Sequence, residues 1–319
     1  MSLSVIIPTY KNVEFLEELV FSIENSRYEE DYEVLIGIDN CYETLEYLYT
    51  QKFSNNFKFY FFLENNGPYI IKNTLSEICQ FEKILFFDSD DVVLPNLFTV
   101  IDNNLNSFDL IKPKYLDFEI KNNNKVFKNK KNTFGEGVFG IKKQLFLSIN
   151  GFEGWRVAAD SDLMGRLYEM NLKILHTNDV LFHRRLHENS LTIHPETNLS
   201  SKMRAKYYFI SKNKPKGSVK LDEFKTSKYE LVDASNKDFY KNPEIVDEEE
   251  MTEYEKKKLK HESLITIFSN DIKTFKEKTK KTINYDVINL NYKLVNHPNL
   301  SSALKKAKLE NLKKNFGRR

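Results

Sequence analysis

Cysteine is scarce in this chain: Cys41 and Cys79 are its two thiols in 319 residues. Two thiols supply neither a disulfide framework nor a structural zinc set, so both are expected reduced and the protein cytoplasmic. Long apolar runs are missing as well. No stretch of about 18 apolar residues occurs, so no membrane-spanning helix is expected. The opening MSLSVIIPTYKN has no basic start and no extended apolar core, so no secretory signal is expected there. No internal repeat of fixed period is found. With 40% hydrophobic and 29% charged residues, the composition is that of a globular chain large enough for one or two domains.

Acid is the sign in short supply towards the C-terminus. Residues 1–199 carry 20 Lys and Arg against 29 Asp and Glu, whereas residues 200–319 carry 28 against 17. The net +2 of the whole chain therefore conceals an acidic front and a basic rear. A basic rear attracts phosphate-rich surfaces, either nucleic acid or anionic membrane. The interleaved Lys and Glu of EEEMTEYEKKKLKHE also fit a plain solvated helix face.

The first 110 residues alternate in texture. Leu3–Ile7, Val34–Ile38, Phe57–Leu63 and Ile84–Phe87 are short apolar or aromatic runs that suit strands. Between them, Val13–Glu24, Cys41–Tyr49 and Ile70–Cys79 have helical spacing, and Pro95–Leu105 follows as a helix with proline in its first turn. Alternating strands and helices predict a mostly parallel sheet covered on both faces, with its ligand site outside the carboxyl ends of the strands. Pro8-Thr9, Asp39 and the aspartates after Phe87 all follow strand ends and are expected along one edge. Residues 108–130 read as two strands around an Asn-rich turn. GEGVFGIKKQLFLSINGF reads as a loop and a helix, DSDLMGRLYEM as a helix, and LKILHT and VLFHRR as short strands. The first domain is expected over 1–199. A basic, mainly helical region is expected over 200–319, with amphipathic helices in ESLITIFSNDIKTFKEKTKK and LSSALKKAKLENLKKNF.

KILFFDSDDVVLP places Asp88, Asp90 and Asp91 within four positions of a buried strand end. A helix N-terminus favours one acidic residue, but three together call for a cation. Hard divalent ions such as Mg2+ or Mn2+ take oxygen ligands and are commonly held by one or two carboxylates plus substrate phosphates.

SVIIPTYKN, EVLIGIDNCYE, NNGPYIIKN, ILFFDSDDVVLP, INGFEGWRVAADSDLMGRL and RRLHENSLT, in that order, resemble the family-2 glycosyltransferases of the GT-A fold over about residues 2–194. The resemblance implies a Rossmann-like GT-A domain and a metal-dependent, inverting transferase that uses a nucleotide-sugar donor, with a UDP-sugar expected. It implies nucleotide contacts from Pro8, Thr9 and Asp39, with Asn66, Gly67, Lys72 and Asn73 near the uridine and diphosphate. Asp88, Ser89 and Asp90 match the Asp-x-Asp motif, with Asp88, Asp90 and His187 at the metal and Arg185 at the diphosphate. Asp160 takes the place of the catalytic base, and Asp162 that of a residue capping or orienting the following helix. Some positions depart from the pattern: Ile38 and Asn40-Cys41 around Asp39, Lys72 for the commoner Arg, and Ala159 for Glu. Trp155 is either an acceptor-stacking ring or a core aromatic. Phe134–Gly137 is a loop that could approach the donor sugar.

The acceptor expected from the resemblance is a glycan hydroxyl. Hydroxymethylated bases of phage DNA are the alternative, since KMRAKYYFISKNKPKGSVK interleaves cations and aromatics as a single-strand track does. Peripheral contact with anionic membrane and homo-oligomerisation through the C-terminal helices are further expectations. A catalytically silent nucleotide-sugar-binding protein is the reading from a different class. A nucleotidyltransferase is disfavoured, because IPTYKN stands where its Gly-rich loop would be.

Overall fold

The computed structural model describes residues 2–122, 124–128 and 137–232. Four strands form its parallel heart: β1 (Ser2–Thr9), β2 (Asp31–Asp39), β3 (Phe57–Phe62) and β4 (Lys83–Phe86). They lie side by side in the order β3-β2-β1-β4, each neighbouring pair parallel. Their side chains are buried on both faces, as continuous apolar runs in parallel sheets are. Covering helices are α1 (Val13–Glu24), α2 (Tyr42–Thr50), α3 (Pro68–Ile78) and α4 (Leu97–Asn104). In α1 the buried residues are Leu16, Leu19, Val20 and Ile23, the 3-1-3 spacing of one helical stripe. These elements fall within a few residues of those expected from periodicity.

The sheet then becomes mixed. Its remaining strands are β5 (Val92–Val93), β6 (Leu110–Lys121), β7 (Asn124–Lys128), β8 (Phe139–Lys142) and β9 (Ile174–Arg185). β8 joins β4 and β6, antiparallel to each, and β9 lies parallel beside β6. β6 and β7 pair antiparallel as the expected hairpin. Two readings change. β8 lies in a stretch expected as loop and helix; four residues are too few to display a period, and α5 (Lys143–Ser148) follows directly. LKILHT and VLFHRR are one strand, β9. Its register against β6 shifts between Lys112 and Tyr115, around Pro113, which has no amide to donate. Lys114 N instead donates to Thr177 Oγ1 at 2.9 Å.

From residue 200 to 232 the chain stays with this sheet. After α6 (Ala159–Tyr168) and β9 comes α7 (Lys202–Lys212), then β10 (Tyr229–Val232), which pairs antiparallel with the outer edge of β3. Tyr229 sits edge-on to Tyr60 at 5.4 Å and tilted to Phe62 at 5.9 Å. Phe224 meets Phe146, itself in the aromatic cluster of Phe86, Phe139 and Phe152. The boundary expected at residue 199 therefore falls before elements that complete the sheet edge and its core. The helices expected within 262–281 and 300–316 lie outside the described residues. Among the described residues no helix is long and apolar enough to cross a membrane, and both cysteines are buried and free.

Candidate active site

β1 and β4 are adjacent, and the strand order reverses at this pair. In open α/β sheets the crevice forms at such a point, beyond the carboxyl ends of the strands. The turn after β4 carries the three aspartates, and each is answered differently. Asp88 Oδ1 receives Lys72 Nζ at 2.8 Å, from α3. Asp90 Oδ2 lies 2.8 Å from His187 Nε2. Asp91 Oδ1 accepts the Arg185 backbone amide at 2.9 Å. Burial, then the neighbouring Asp90 and Asp88 charges, push the Asp91 carboxyl well above its usual range. Asp88 is the open member, its side chain 40% exposed against 20% for Asp90. Ser89 is buried and accepts from Asn12 Nδ2 at 3.0 Å.

Arg185 braces this turn from behind. Its Nε donates to the Asp90 carbonyl at 2.9 Å, and its Nη2 pairs with Glu18. The guanidinium packs on the rings of Phe15 and Phe118. The donor contact expected of Arg185 is thus replaced, for these nitrogens, by bonds that hold the acidic turn. His187 packs on Phe15 at 4.7 Å, and its Nδ1 is buried without a hydrogen-bond partner.

The opposite wall comes from α3 and α6. Lys72, almost fully buried, also donates to the Gly137 carbonyl at 3.1 Å. Gly137 leaves room where room is needed: a β-carbon there would stand 3.1 Å from Asp88 Oδ2 and 3.8 Å from Asp160 Oδ2. The open aspartate and the base candidate therefore flank one glycine. Asp160 lies in the first turn of α6, behind Ala158, a non-glycine residue with φ of +64°. Such a conformation costs about 1 kcal/mol or more. Asp160 Oδ1 accepts the Ser161 amide at 2.9 Å, one of the free N–H groups in the first turn of α6. Tyr69, one turn before Lys72 on α3, is buried and hydrogen-bonded to Asp160; burial first, then that carboxylate, hold its hydroxyl well above its usual pKa.

Asp39, at the end of β2, accepts the amides of Asn66 at 2.8 Å and Gly67 at 3.0 Å. These amides lead into α3, where a carboxylate is favoured. Gly67, with φ of +85° before Pro68 at the helix start, makes the bend that aims them. Burial raises the Asp39 pKa, with those two bonds opposing. Thr9, at the end of β1, is buried with Oγ1 unpartnered, beside buried Pro8. Arg156 donates to Asn65 Oδ1 at 2.7 Å near this end of the site.

Most nominated residues therefore line one sheet edge. Asn73 does not present itself to a ligand: wholly buried, it donates to the carbonyls of Phe152 and Lys225 and accepts the Phe152 amide, each at 2.9 Å. The nucleotide contact expected of its side chain is corrected to a clamp on the chain. Asp162 orients rather than caps, binding Arg166 at 2.8 Å and Lys214 at 2.7 Å. Trp155 stacks on Tyr207 of α7, ring centroids 4.8 Å apart and 10° from parallel, with the Lys214 ammonium 5.3 Å from the Trp155 ring centre. Of Phe134–Gly137, residues 134–136 lie outside the described residues. Sequence reasoning missed Tyr69, although its spacing of three from Lys72 puts both on one helical face.

Among the described residues no three His, Cys, Asp or Glu side chains converge as a complete metal set. Asp88 and Asp90 are nonetheless hard oxygen donors in one turn. They suit an ion whose remaining positions are filled by substrate phosphates.

Residues 4–154 match the family model described as Glycosyl transferase family 2. The chain carries a domain of that family, and its sheet agrees with the GT-A class that the sequence resemblance implied. Among solved structures it is similar to S. aureus TarS 1-349 in complex with UDP, at 20% identity and a TM-score of 0.48, covering 59% of this chain and 61% of that one. The same TarS fragment in complex with UDP-GlcNAc matches at 20% and 0.48, with 60% of each chain covered. The mannosyltransferase PcManGT from Pyrobaculum calidifontis, in complex with GDP-Man and Mn2+, matches at 15% and 0.47, covering 59% and 58%. The chain thus spans about three fifths of the length of each of these solved chains. Among curated proteins no sequence match is found.

Proposed function

We propose that this protein is a nucleotide-sugar-dependent glycosyltransferase that moves a sugar from a UDP-sugar to a hydroxyl of a glycan acceptor, with inversion. The observation that carries the reading is the pair of carboxylates on either side of Gly137. Asp88 belongs to the acidic turn and Asp160 to the facing helix. One serves the departing diphosphate and the other the incoming hydroxyl.

In this reading Asp160 accepts the acceptor's proton as the acceptor oxygen attacks the anomeric carbon. The bond from that carbon to the diphosphate oxygen breaks, and UDP leaves with the electron pair. Attack opposite to departure inverts the centre. Tyr69 holds the Asp160 carboxylate in place. Asp39 fixes the Asn66–Gly67 amides beside the nucleotide. Asp88 and Asp90, with His187 behind, are the residues that would hold Mn2+ or Mg2+. A bound divalent ion neutralises charge developing on the leaving diphosphate. Lys72 supplies a fixed positive charge at the same place.

The test is turnover of radiolabelled UDP-sugars, with and without Mn2+, by the native chain and by Asp160→Asn. Sugar transfer by the native chain, lost in the variant while UDP still binds, supports the reading. Full activity of Asp160→Asn places the base elsewhere. Failure of every nucleotide sugar to bind removes the assignment.

A further inference from the structure

The stretch from residue 197 to 221 contains seven Lys and Arg and no Asp or Glu. Two of these cations are used within the protein. Arg204 donates to the carbonyls of Thr197 and Leu191, and Lys214 binds Glu153 and Asp162. Lys202, Lys206 and Lys212 of α7 instead face solvent. Between them on the same face stands Phe209, 69% exposed and three residues from both Lys206 and Lys212. Tyr208, also exposed, lies under the Lys212 ammonium. Leu199 before the helix is 74% exposed, and Ile210, next to Phe209 on α7, is 39% exposed.

An apolar patch of this kind ringed by lysines is costly to leave in water. We propose that this outer face of α7 docks on an anionic lipid bilayer, with Phe209 and Leu199 entering the headgroup boundary and Lys202, Lys206 and Lys212 on lipid phosphates. Charge complementarity selects a phosphate-rich partner. The aliphatic anchors separate lipid from nucleic acid: bases stack on rings, whereas Leu199 and Ile210 have none. Interfacial helices combine just these features, a basic polar rim with aromatic and leucine anchors. The inner side of α7 meets the site wall, since Tyr207 stacks on Trp155. Docking therefore sets the Asp160 side of the site one helix away from the membrane surface. The proposal does not depend on the transferase assignment.

The experiment is flotation of the full chain with phosphatidylcholine vesicles, prepared with and without phosphatidylglycerol. Binding is expected only with phosphatidylglycerol and is expected to weaken as salt rises. The triple change Lys202→Glu, Lys206→Glu, Lys212→Glu should weaken partitioning by about fivefold or more per lysine. Phe209→Ser with Leu199→Ser should weaken it by about tenfold or more. All five side chains are exposed, so thermal melting should not change. Undiminished binding by both variants overturns the proposal, as does equal binding to neutral vesicles. Binding of single-stranded DNA without any binding to vesicles also overturns it, in favour of a nucleic-acid track. A full chain that binds no vesicle has this face covered or unused, and the proposal is then wrong.

Discussion

Lys72 Nζ and Asp88 Oδ1 stand 2.8 Å apart, the lysine side chain 2% and the aspartate side chain 40% exposed. A buried ammonium thus presses outward on the first carboxylate of the acidic turn. It occupies part of the charge that a divalent ion would use. Lys72→Met keeps the volume and removes the ammonium. Mn2+ is expected to bind more tightly to this variant, by about 1 kcal/mol or more, although turnover should fall because the fixed positive charge at the leaving group is gone. Isothermal titration with Mn2+ measures the first effect, and unchanged or weaker binding would refute the competition.

Asp39 bridges β2 to the entrance of α3 through two amides, at 2.8 and 3.0 Å. Asp39→Ala strands both donors, at about 1–3 kcal/mol for a buried one. Asp39→Asn keeps one acceptor oxygen. The melting temperature should fall in the order native, Asn, Ala. Equal melting of all three would show that water replaces the carboxylate freely.

His183 faces Phe127 at 4.8 Å and Phe118 at 6.2 Å. Burial first, then Lys125, lower its pKa from 6.5. The folded state therefore refuses a proton that the unfolded state accepts. Stability from this residue is intact above pH 6.5 and is lost as pH falls below it, down to the folded-state value. His176 is depressed in the same direction, by burial and then Lys112. His183→Gln should therefore remove part of the acid-side slope in a plot of melting temperature against pH. An unchanged slope would assign it to other groups.

The parallel core was legible because each of its elements carries one clear period. Val13–Glu24 repeats like a helix, and Val34–Ile38 is too apolar and β-branched for anything but a buried strand. The acidic turn was legible because three carboxylates in four residues demand a partner. Other features depend on contacts far apart in sequence. β8 is four residues long and finds its place only between β4 and β6. Asn73 looks like a ligand-binding amide, yet its partners, Phe152 and Lys225, lie 79 and 152 residues away. Composition after residue 199 turns polar and Lys-rich, which concealed Phe224 and Tyr229 packing on the core.

Those two aromatics make the end of the folded unit testable. Leu63 N donates to the Lys228 carbonyl at 3.2 Å, β10 continues the pairing, and Asn73 holds the Lys225 carbonyl. Ending the chain at residue 199 removes all of this and exposes the edge of β3. Phe224 and Tyr229 are partly buried, so each lost contact costs about 1 kcal/mol or more. A fragment of residues 1–199 is expected to melt well below one of residues 1–232, or to precipitate. Equal melting of the two fragments would return the boundary to residue 199.

Tyr69 and Asp160 offer the sharpest division between holding and reacting. The Tyr69 hydroxyl is buried, with its pKa far above neutrality, so it stays a neutral donor to the carboxylate through the working range. Tyr69→Phe removes that donor without emptying the space. If Asp160 takes the proton, losing the donor leaves the carboxylate freer to turn away from the reacting hydroxyl. Turnover should fall by about tenfold, a loss of roughly 1.4 kcal/mol in positioning, and UDP affinity should hold. Asp160→Asn, by contrast, should abolish transfer at every pH. A Tyr69→Phe enzyme with native rate would mean that Asp160 is positioned by something else, or is not the base.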